Sequence, residues 1–314
     1  MANSHQVEVI DDEAPASAPG TARVIPTKRK MSSLHWFREV GWRHLVAWVA
    51  IVFAVFPLLY VVSVAFNPIG TLTGSNALFT RFDLGNFAKL FTNPDLPFAR
   101  WFVNTLVIGL VSSAGTVFLG ALAAYSFSRM RFKGRRVGLL SLLLIQMFPQ
   151  YLAVVAIFLL MAGISDVFPA IGLGTQTGLI LIYLGGALGV NTFLMYGFFN
   201  TVPVSIDEAA KIDGAGHARI FFTIILRLVT PILAVVGLLS FIGTTSEFVI
   251  ASVMLTNPDS QTLAVGLFTF ISQFQSKNWG VFSAGAVIAA IPVVTLFLFL
   301  QKYIVSGLTA GSVK

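Results

Sequence analysis

The 314-residue chain contains no cysteine, which excludes disulfides, thiolate metal sites and cysteine nucleophiles together. Charge is also scarce. Only 11% of residues are Asp, Glu, Lys or Arg, against 56% hydrophobic residues and a mean hydropathy of +0.85. A soluble globular protein carries about 25% charged residues, so this chain has too little polar surface to cover itself and lipid has to do the covering. No G-x-x-x-x-G-K-[ST] phosphate loop is present, so nucleotide has no usual cradle here. His5, His35, His44 and His217 are scattered, and no His/Asp/Glu set has metal-ligand spacing; no metal and no bound cofactor is expected. The ten-residue alternating pattern of membrane barrels is missing too. The expected spanning element is therefore the helix, which satisfies its own backbone groups.

What the sequence has instead is long apolar runs. Six are of membrane-crossing length, at 45–66, 101–127, 137–162, 178–200, 220–255 and 281–304, each near or above the roughly 20 residues a bilayer core requires. An all-α integral membrane protein of six transmembrane helices is predicted, occupying residues 45–314. The third run holds Phe148-Pro149, where a kink frees a backbone carbonyl that must find a partner. Gly185 and Gly189 share one face of the fourth, which suits close helix contact. The fifth exceeds one crossing and is broken by Pro231, so its first turns are expected outside the hydrocarbon. Stretches 67–100, 163–177 and 256–280, rich in turn signals, are expected as loops.

Residues 1–30 form a predicted disordered cytoplasmic tail. Glu8, Asp11, Asp12 and Glu13 precede an Ala/Pro/Ser stretch and the basic run Lys28-Arg29-Lys30, without the apolar core and cleavage site of a signal peptide. Residues 31–44 mix Trp36, Phe37 and Trp42 with Arg38 and Arg43, as a membrane-surface amphipathic segment does. The formal net charge of +7 does not point to nucleic acid, because the basic residues sit in short blocks beside apolar runs. Topology accounts for them. Sixteen of the 20 lysines and arginines fall on one side of the six-helix arrangement and four, Arg81, Lys89, Arg100 and Lys277, on the other. The richer side is cytoplasmic by the positive-inside rule and includes both termini and the loops near 129–136 and 201–219.

The 201–219 loop is the most informative stretch. Ser205 and Glu208 have capping-box spacing, Asp207 and Glu208 suit the positive end of a helix dipole, Ala209-Ala210-Lys211 favours helix, and Gly214 is placed to end it in the left-handed conformation. A short, sharply bounded helix is expected, joined by Gly214-Ala215-Gly216 to the segment that re-enters the membrane. Such an element can act as a rigid knob moved by a partner, or be an ordinary capped surface helix.

The order Glu208-Ala209-Ala210, three residues, Gly214, nine residues, Ile224-x-Leu226 resembles the EAA signature of ABC importer permeases. Phe127-Ser128-Arg129-Met130-Arg131-Phe132-Lys133-Gly134, Gln146-Met147-Phe148-Pro149, Tyr183-Leu184-Gly185-Gly186, Thr262-Leu263-Ala264-Val265-Gly266 and Gly307-Leu308-Thr309-Ala310-Gly311 are similar to the maltose/maltodextrin, MalG-like branch, over about residues 45–314. One departure is Arg227, where the family motif usually has proline; Pro231 follows. The resemblance implies a type I importer permease (MetI-like) fold in a bacterial cytoplasmic membrane, with a coupling helix at about 203–216. Glu208, Ala209, Ala210, Asp213 and Gly214 would engage a cytoplasmic ATPase. It further implies a MalF-like second permease, a MalK-like ATPase dimer that uses ATP and magnesium, an extracytoplasmic sugar-binding protein, and alternating access for maltose, maltodextrin or a related oligosaccharide such as trehalose. By the same resemblance the external loop at 256–277, with Asn257, Asp259 and Ser260 in a polar, projecting turn, would meet the binding protein.

Glu247 is the one acid inside an apolar run. A carboxylate in a membrane must be paired, hydrated or protonated; it either lines the substrate path, faces the partner permease, or makes a structural hydrogen bond. Asn191 and Gln146 are candidates of the same kind, and Tyr183 and Tyr196 suit either sugar stacking or interface anchoring. Two other classes stand beside the importer: a proton-coupled secondary carrier using Glu247, and a channel, for which no filter segment stands out.

Overall fold

The computed structural model describes residues 40–69, 78–93, 96–187, 189–272 and 278–310. The predicted tail at 1–30, most of the 31–44 segment and Lys277 lie outside them. Helix is the only regular backbone element among the described residues, with no strand. Two compact units are distinguished, Met1–Leu58 and Leu59–Lys314. Among the described residues four helices are long and apolar enough to cross a membrane, or up to six spans if each of two bent helix pairs is one, the number of the apolar runs.

Helix α1 (Trp42–Ala65) is continuous through Pro57. The stretch read as one long loop contains a helix of its own, α2 (Gly85–Thr92); its Asn86 amide donates to the Ala65 and Asn67 carbonyls at 3.0 and 2.8 Å, tying α2 to the end of α1. Helix α3 (Phe98–Arg129) follows as a single 32-residue element. The third apolar run is cut as its proline predicts. Helix α4 (Arg135–Gln146) stops before Pro149, a 3₁₀ turn covers Gln150–Ala153, and α5 (Val154–Val167) follows; the segment long and apolar enough to cross is Gln150–Val167, later than the predicted 137–162 and without α4. Proline removes the N–H that would reach the Ile145 carbonyl, and Phe148 N donates to that carbonyl instead, at 3.2 Å.

The fourth run is also broken, into α6 (Gln176–Ala187) and α7 (Val190–Phe199), bent by 52°. After the short α8 (Val204–Ile212), α9 (His217–Leu228) meets α10 (Thr230–Ser246) at 80°. That bend is the predicted turn into the membrane. It falls at Val229 (φ −96°, ψ 8°), with Pro231 in the first turn of α10, where its missing N–H is harmless. Arg227, which replaces the usual motif proline, is exposed in the turn before the bend, so Pro231 is the proline at this corner.

Helix α11 (Val249–Met254) is separated from α10 by extended Glu247. The expected loop at 256–280 holds another unanticipated helix, α12 (Leu263–Ser272). Ten residues are too few to span lipid, and hydropathy alone passes over them. Burial of Leu263, Leu267 and Phe270 against Phe98 and Trp101 of α3 and Val281 and Ala284 of α13 (Trp279–Ala310) holds it in place. A second core joins α3, α7, α8, α9 and α10 around Tyr125, Phe199, Ala210 and Phe221. A third joins α3, α5, α6 and α11 around Ile108, Met161, Leu179 and Ala251.

Candidate functional site

The helix predicted in the 201–219 loop exists, but it begins earlier than its capping signature implies. Pro203 is the N-cap and Ser205 already lies inside α8, with no side-chain cap hydrogen bond. The expected capping box between Ser205 and Glu208 is therefore not formed. Proline has no N–H to leave orphaned and its fixed φ suits a helix start. The C-terminus follows expectation closely: Gly214 has φ +80°, Gly214 N donates to the Lys211 carbonyl at 3.0 Å, and Ala215 N donates to the Ala210 carbonyl at 2.9 Å. This is a complete Schellman motif, with glycine at the left-handed position.

Helix α8 has two faces. Asp207 and Ala210 are buried, whereas Ser205, Glu208, Ala209, Lys211, Ile212 and Asp213 are exposed. Ile212 is 87% exposed. The buried face holds what the sequence did not disclose. Asp207 Oδ2 lies 2.7 Å from Arg129 Nε, the two side chains being 5% and 6% exposed, and Arg129 Nη2 donates to the Val202 carbonyl at 2.8 Å. Nearby, Ser128 Oγ donates to Asn200 Oδ1 at 2.8 Å. Local sequence suits Asp207 to the helix dipole and Arg129 to the positive-inside block; only the fold brings the last turn of α3 against α8.

A cavity of about 1060 Å³ lies beside the α4–α5, α6–α7 and α10–α11 breaks. Its wall includes Gln146 and Phe148 from the α4–α5 break, Gly186 and Asn191 from either side of the α6–α7 break, and Thr244 and Glu247 from the end of α10. All three residues singled out for the substrate path, Gln146, Asn191 and Glu247, thus line one space. Glu247 has three donors: the Tyr183 hydroxyl to Oε2 at 2.8 Å, Ile250 N to Oε1 at 2.8 Å, and Ala251 N to Oε2 at 2.9 Å. The carboxylate satisfies otherwise orphaned amides of α11 and also lines the cavity. The Gln146 amide donates to the Gly186 carbonyl at 2.8 Å, and a Cβ at Gly189 would lie 2.1 Å from Gln146. Tyr183 lines the cavity and Tyr196 does not; the Tyr196 hydroxyl accepts from Arg135 Nη2 at 3.3 Å.

In the Asn257–Ser260 turn Asn257, Pro258 and Asp259 are exposed and Ser260 is half-buried, and the turn is tied down. Asn257 Oδ1 accepts from Asp259 N at 3.0 Å, Arg100 pairs with Asp259 at 2.7 Å, and Trp101 Nε1 donates to the Pro258 carbonyl at 2.7 Å. Among the described residues no cluster of His, Cys, Asp or Glu could hold a metal ion.

A helical bundle with interrupted spans around a central cavity and a capped helix on a bent arm defines a membrane permease component. Residues 116–310 match the family described as binding-protein-dependent transport system inner membrane component, and the chain belongs to that family of ABC importer permeases. It is 41% identical over 271 residues to the galactooligosaccharides transport system permease protein GanQ of Bacillus subtilis (strain 168), covering 86% of this chain and 93% of that protein. It is 42% identical over 265 residues to the maltodextrin transport system permease protein MdxG of the same organism, covering 83% and 91%. The maltose/maltodextrin transport system permease protein MalG of Vibrio parahaemolyticus is 37% identical over 281 residues, covering 86% and 94%. Among solved structures, a bacterial ABC transporter involved in the import of the acidic polysaccharide alginate superposes with a TM-score of 0.72 at 22% identity, covering 88% of this chain and 99% of that one. The fold is thus the MetI-like importer permease fold. The alternative of a proton-coupled carrier built on Glu247 is not supported, because the family is one of ABC permeases.

Proposed function

We propose that this chain is one permease half of an ATP-driven importer for neutral oligosaccharides of the maltodextrin class, with both termini in the cytoplasm of a bacterial cell. The observation that carries the reading is helix α8, capped at its C-terminus by Gly214, clamped on one face and presenting Ile212 on the other. A rigid helix with an exposed apolar tip suits docking into a cleft of a moving partner, since a floppy loop would absorb the displacement. Glu208, Ala209, Asp213 and Gly214 are exposed and, together with Ala210, whose side chain is buried beneath them, are assigned to a cytoplasmic ATPase dimer, which binds the ATP and magnesium. A second permease would close the cavity from its open side, and an extracytoplasmic sugar-binding protein would meet Asn257, Asp259 and Ser260.

Cavity chemistry supports a neutral cargo. The lining residues include no lysine or arginine, one carboxylate, the amides of Gln146, Gln150 and Asn191, the hydroxyls of Ser240 and Thr244, and the rings of Phe148 and Tyr151. Amides and hydroxyls match sugar hydroxyls, while an acidic polysaccharide would face Glu247 with no counter-charge. The test is uptake into vesicles holding this chain with its ATPase, second permease and binding protein. ATP-dependent accumulation of maltotriose over an acidic oligouronate is expected, and vesicles with this chain alone should accumulate neither. Accumulation by the lone chain, or without ATP, would defeat the reading.

A further inference from the structure

Among the described spans, α3 and the shorter Gln150–Val167 have neither an interior proline nor a bend, and α3 is the longer, at 32 residues against 18. Pro57 lies inside α1 and Pro292 inside α13, and the two bent pairs turn by 52° and 80°. With 32 residues at about 1.5 Å each, α3 is a rod of about 48 Å, longer than a hydrocarbon core of roughly 30 Å.

Both ends of this rod grip other parts of the chain through buried polar groups. At one end Arg129 holds Asp207 and the Val202 carbonyl, fixing the start and first turns of α8. At the other, Trp101, Asn104 and Thr105 are all buried and hold the backbone of the 258–263 turn. Trp101 Nε1 donates to the Pro258 carbonyl at 2.7 Å, Asn104 Nδ2 donates to the Asp259 and Gln261 carbonyls, each at 2.9 Å, and Thr105 Oγ1 accepts from Leu263 N at 2.7 Å. Trp101, Asn104 and Thr105 are buried side chains whose polar groups would lose their partners on release, so the grips are costly to break. A displacement of α8 along α3 therefore reaches the turn with no break in between to absorb it.

We propose that α3 is a transmission rod within this one chain, and that Arg129 and Asn104 are positioning residues which link the ATPase-facing helix to the turn that faces the binding protein. Linkage makes the coupling reciprocal: docking on the turn biases α8 by the same free energy with which α8 biases the turn. The proposal rests on the assignment of those two partners above.

The test uses the complete importer reconstituted with its binding protein. Three variants are compared: Asn104→Leu, Arg129→Lys, and the double change Arg129→Met with Asp207→Leu. The double change removes both buried charges at once and so avoids stranding one. Asn104→Leu, at the end of α3 away from α8, is expected to copurify with the ATPase and keep its basal ATP hydrolysis, while the Arg129 variants are read by the labelling response below. Stimulation by the binding protein should fall at least about fivefold, the lower end of typical coupling. A merely structural role would lower basal and stimulated rates together. A second reading uses Ser260→Cys, the chain's only thiol, with a membrane-impermeant maleimide. Its labelling rate should change when ATP and vanadate trap the ATPase dimer, and cease to respond once Arg129→Lys is added. Full stimulation and unchanged labelling response in all variants would overturn the rod while leaving the importer reading intact. An unmodified complex that the binding protein fails to stimulate would overturn both.

Discussion

The Tyr183 hydroxyl donates to Glu247 Oε2 at 2.8 Å, joining α6 to the break between α10 and α11 on the wall of the cavity. The same carboxylate receives two amides of α11, so it is both a cap and part of the wall. Only the tyrosine contact can be removed without disturbing the backbone.

Glu247→Gln should therefore destabilise the protein more than Tyr183→Phe. A glutamine amide has one acceptor oxygen where the carboxylate has two, leaving a buried N–H or hydroxyl unmet at about 1–3 kcal/mol. Tyr183→Phe removes a single donor, at about 1 kcal/mol. Thermal unfolding of the detergent-solubilised complex measures both, and equal shifts would argue that the capping amides carry no weight.

At Gly214 a Cβ would meet nothing within 4 Å, so only the φ of +80° resists substitution. Retention of the ATPase on copurification should fall in the order Asn, Ala, Val at this position, because asparagine tolerates the left-handed region and a β-branched residue does not. Wild-type retention by Gly214→Val would contradict the role given to this turn.

A Cβ on Gly266 would lie 2.2 Å from the Trp101 ring, which is 2% exposed. Gly266→Ala should cost about 1–3 kcal/mol as overpacking and move Trp101 away from the Pro258 carbonyl. A lowered melting temperature with an altered tryptophan emission is expected; an unchanged spectrum would mean the ring does not seal this corner.

Gln146→Ala and Gly189→Ala should act on one contact. The first deletes the amide that holds the Gly186 carbonyl, and the second puts a Cβ where that amide side chain lies. Each should change maltotriose uptake by a similar factor, and the double variant should be no worse than either alone. Additive losses would separate the two sites.

Much of the fold could be read from hydropathy, because lipid thickness sets run length: among the described residues five of the six runs return as spans or bent pairs near their predicted places, and the third is displaced to Gln150–Val167. Elements held by tertiary packing could not. Helix α12 is ten residues long, too short to register as a crossing, and depends on burial against α3 and α13. At the candidate site the glycine stop at 214 was legible, because a left-handed position leaves a residue-type signature. The N-terminus of α8 was not, since Pro203 competes with Ser205 and nothing local decides between them. Arg129 and Asp207 lie 78 positions apart, and neither carries any local mark of the other.

The cavity is walled by helix ends at the α4–α5, α6–α7 and α10–α11 breaks. Segments on either side of such a cut have already given up the hydrogen bonds that would make them one piece, so each can tilt without melting a turn. The chamber is thus built at its joints, where small rotations of stiff segments alter its width and backbone resistance is least.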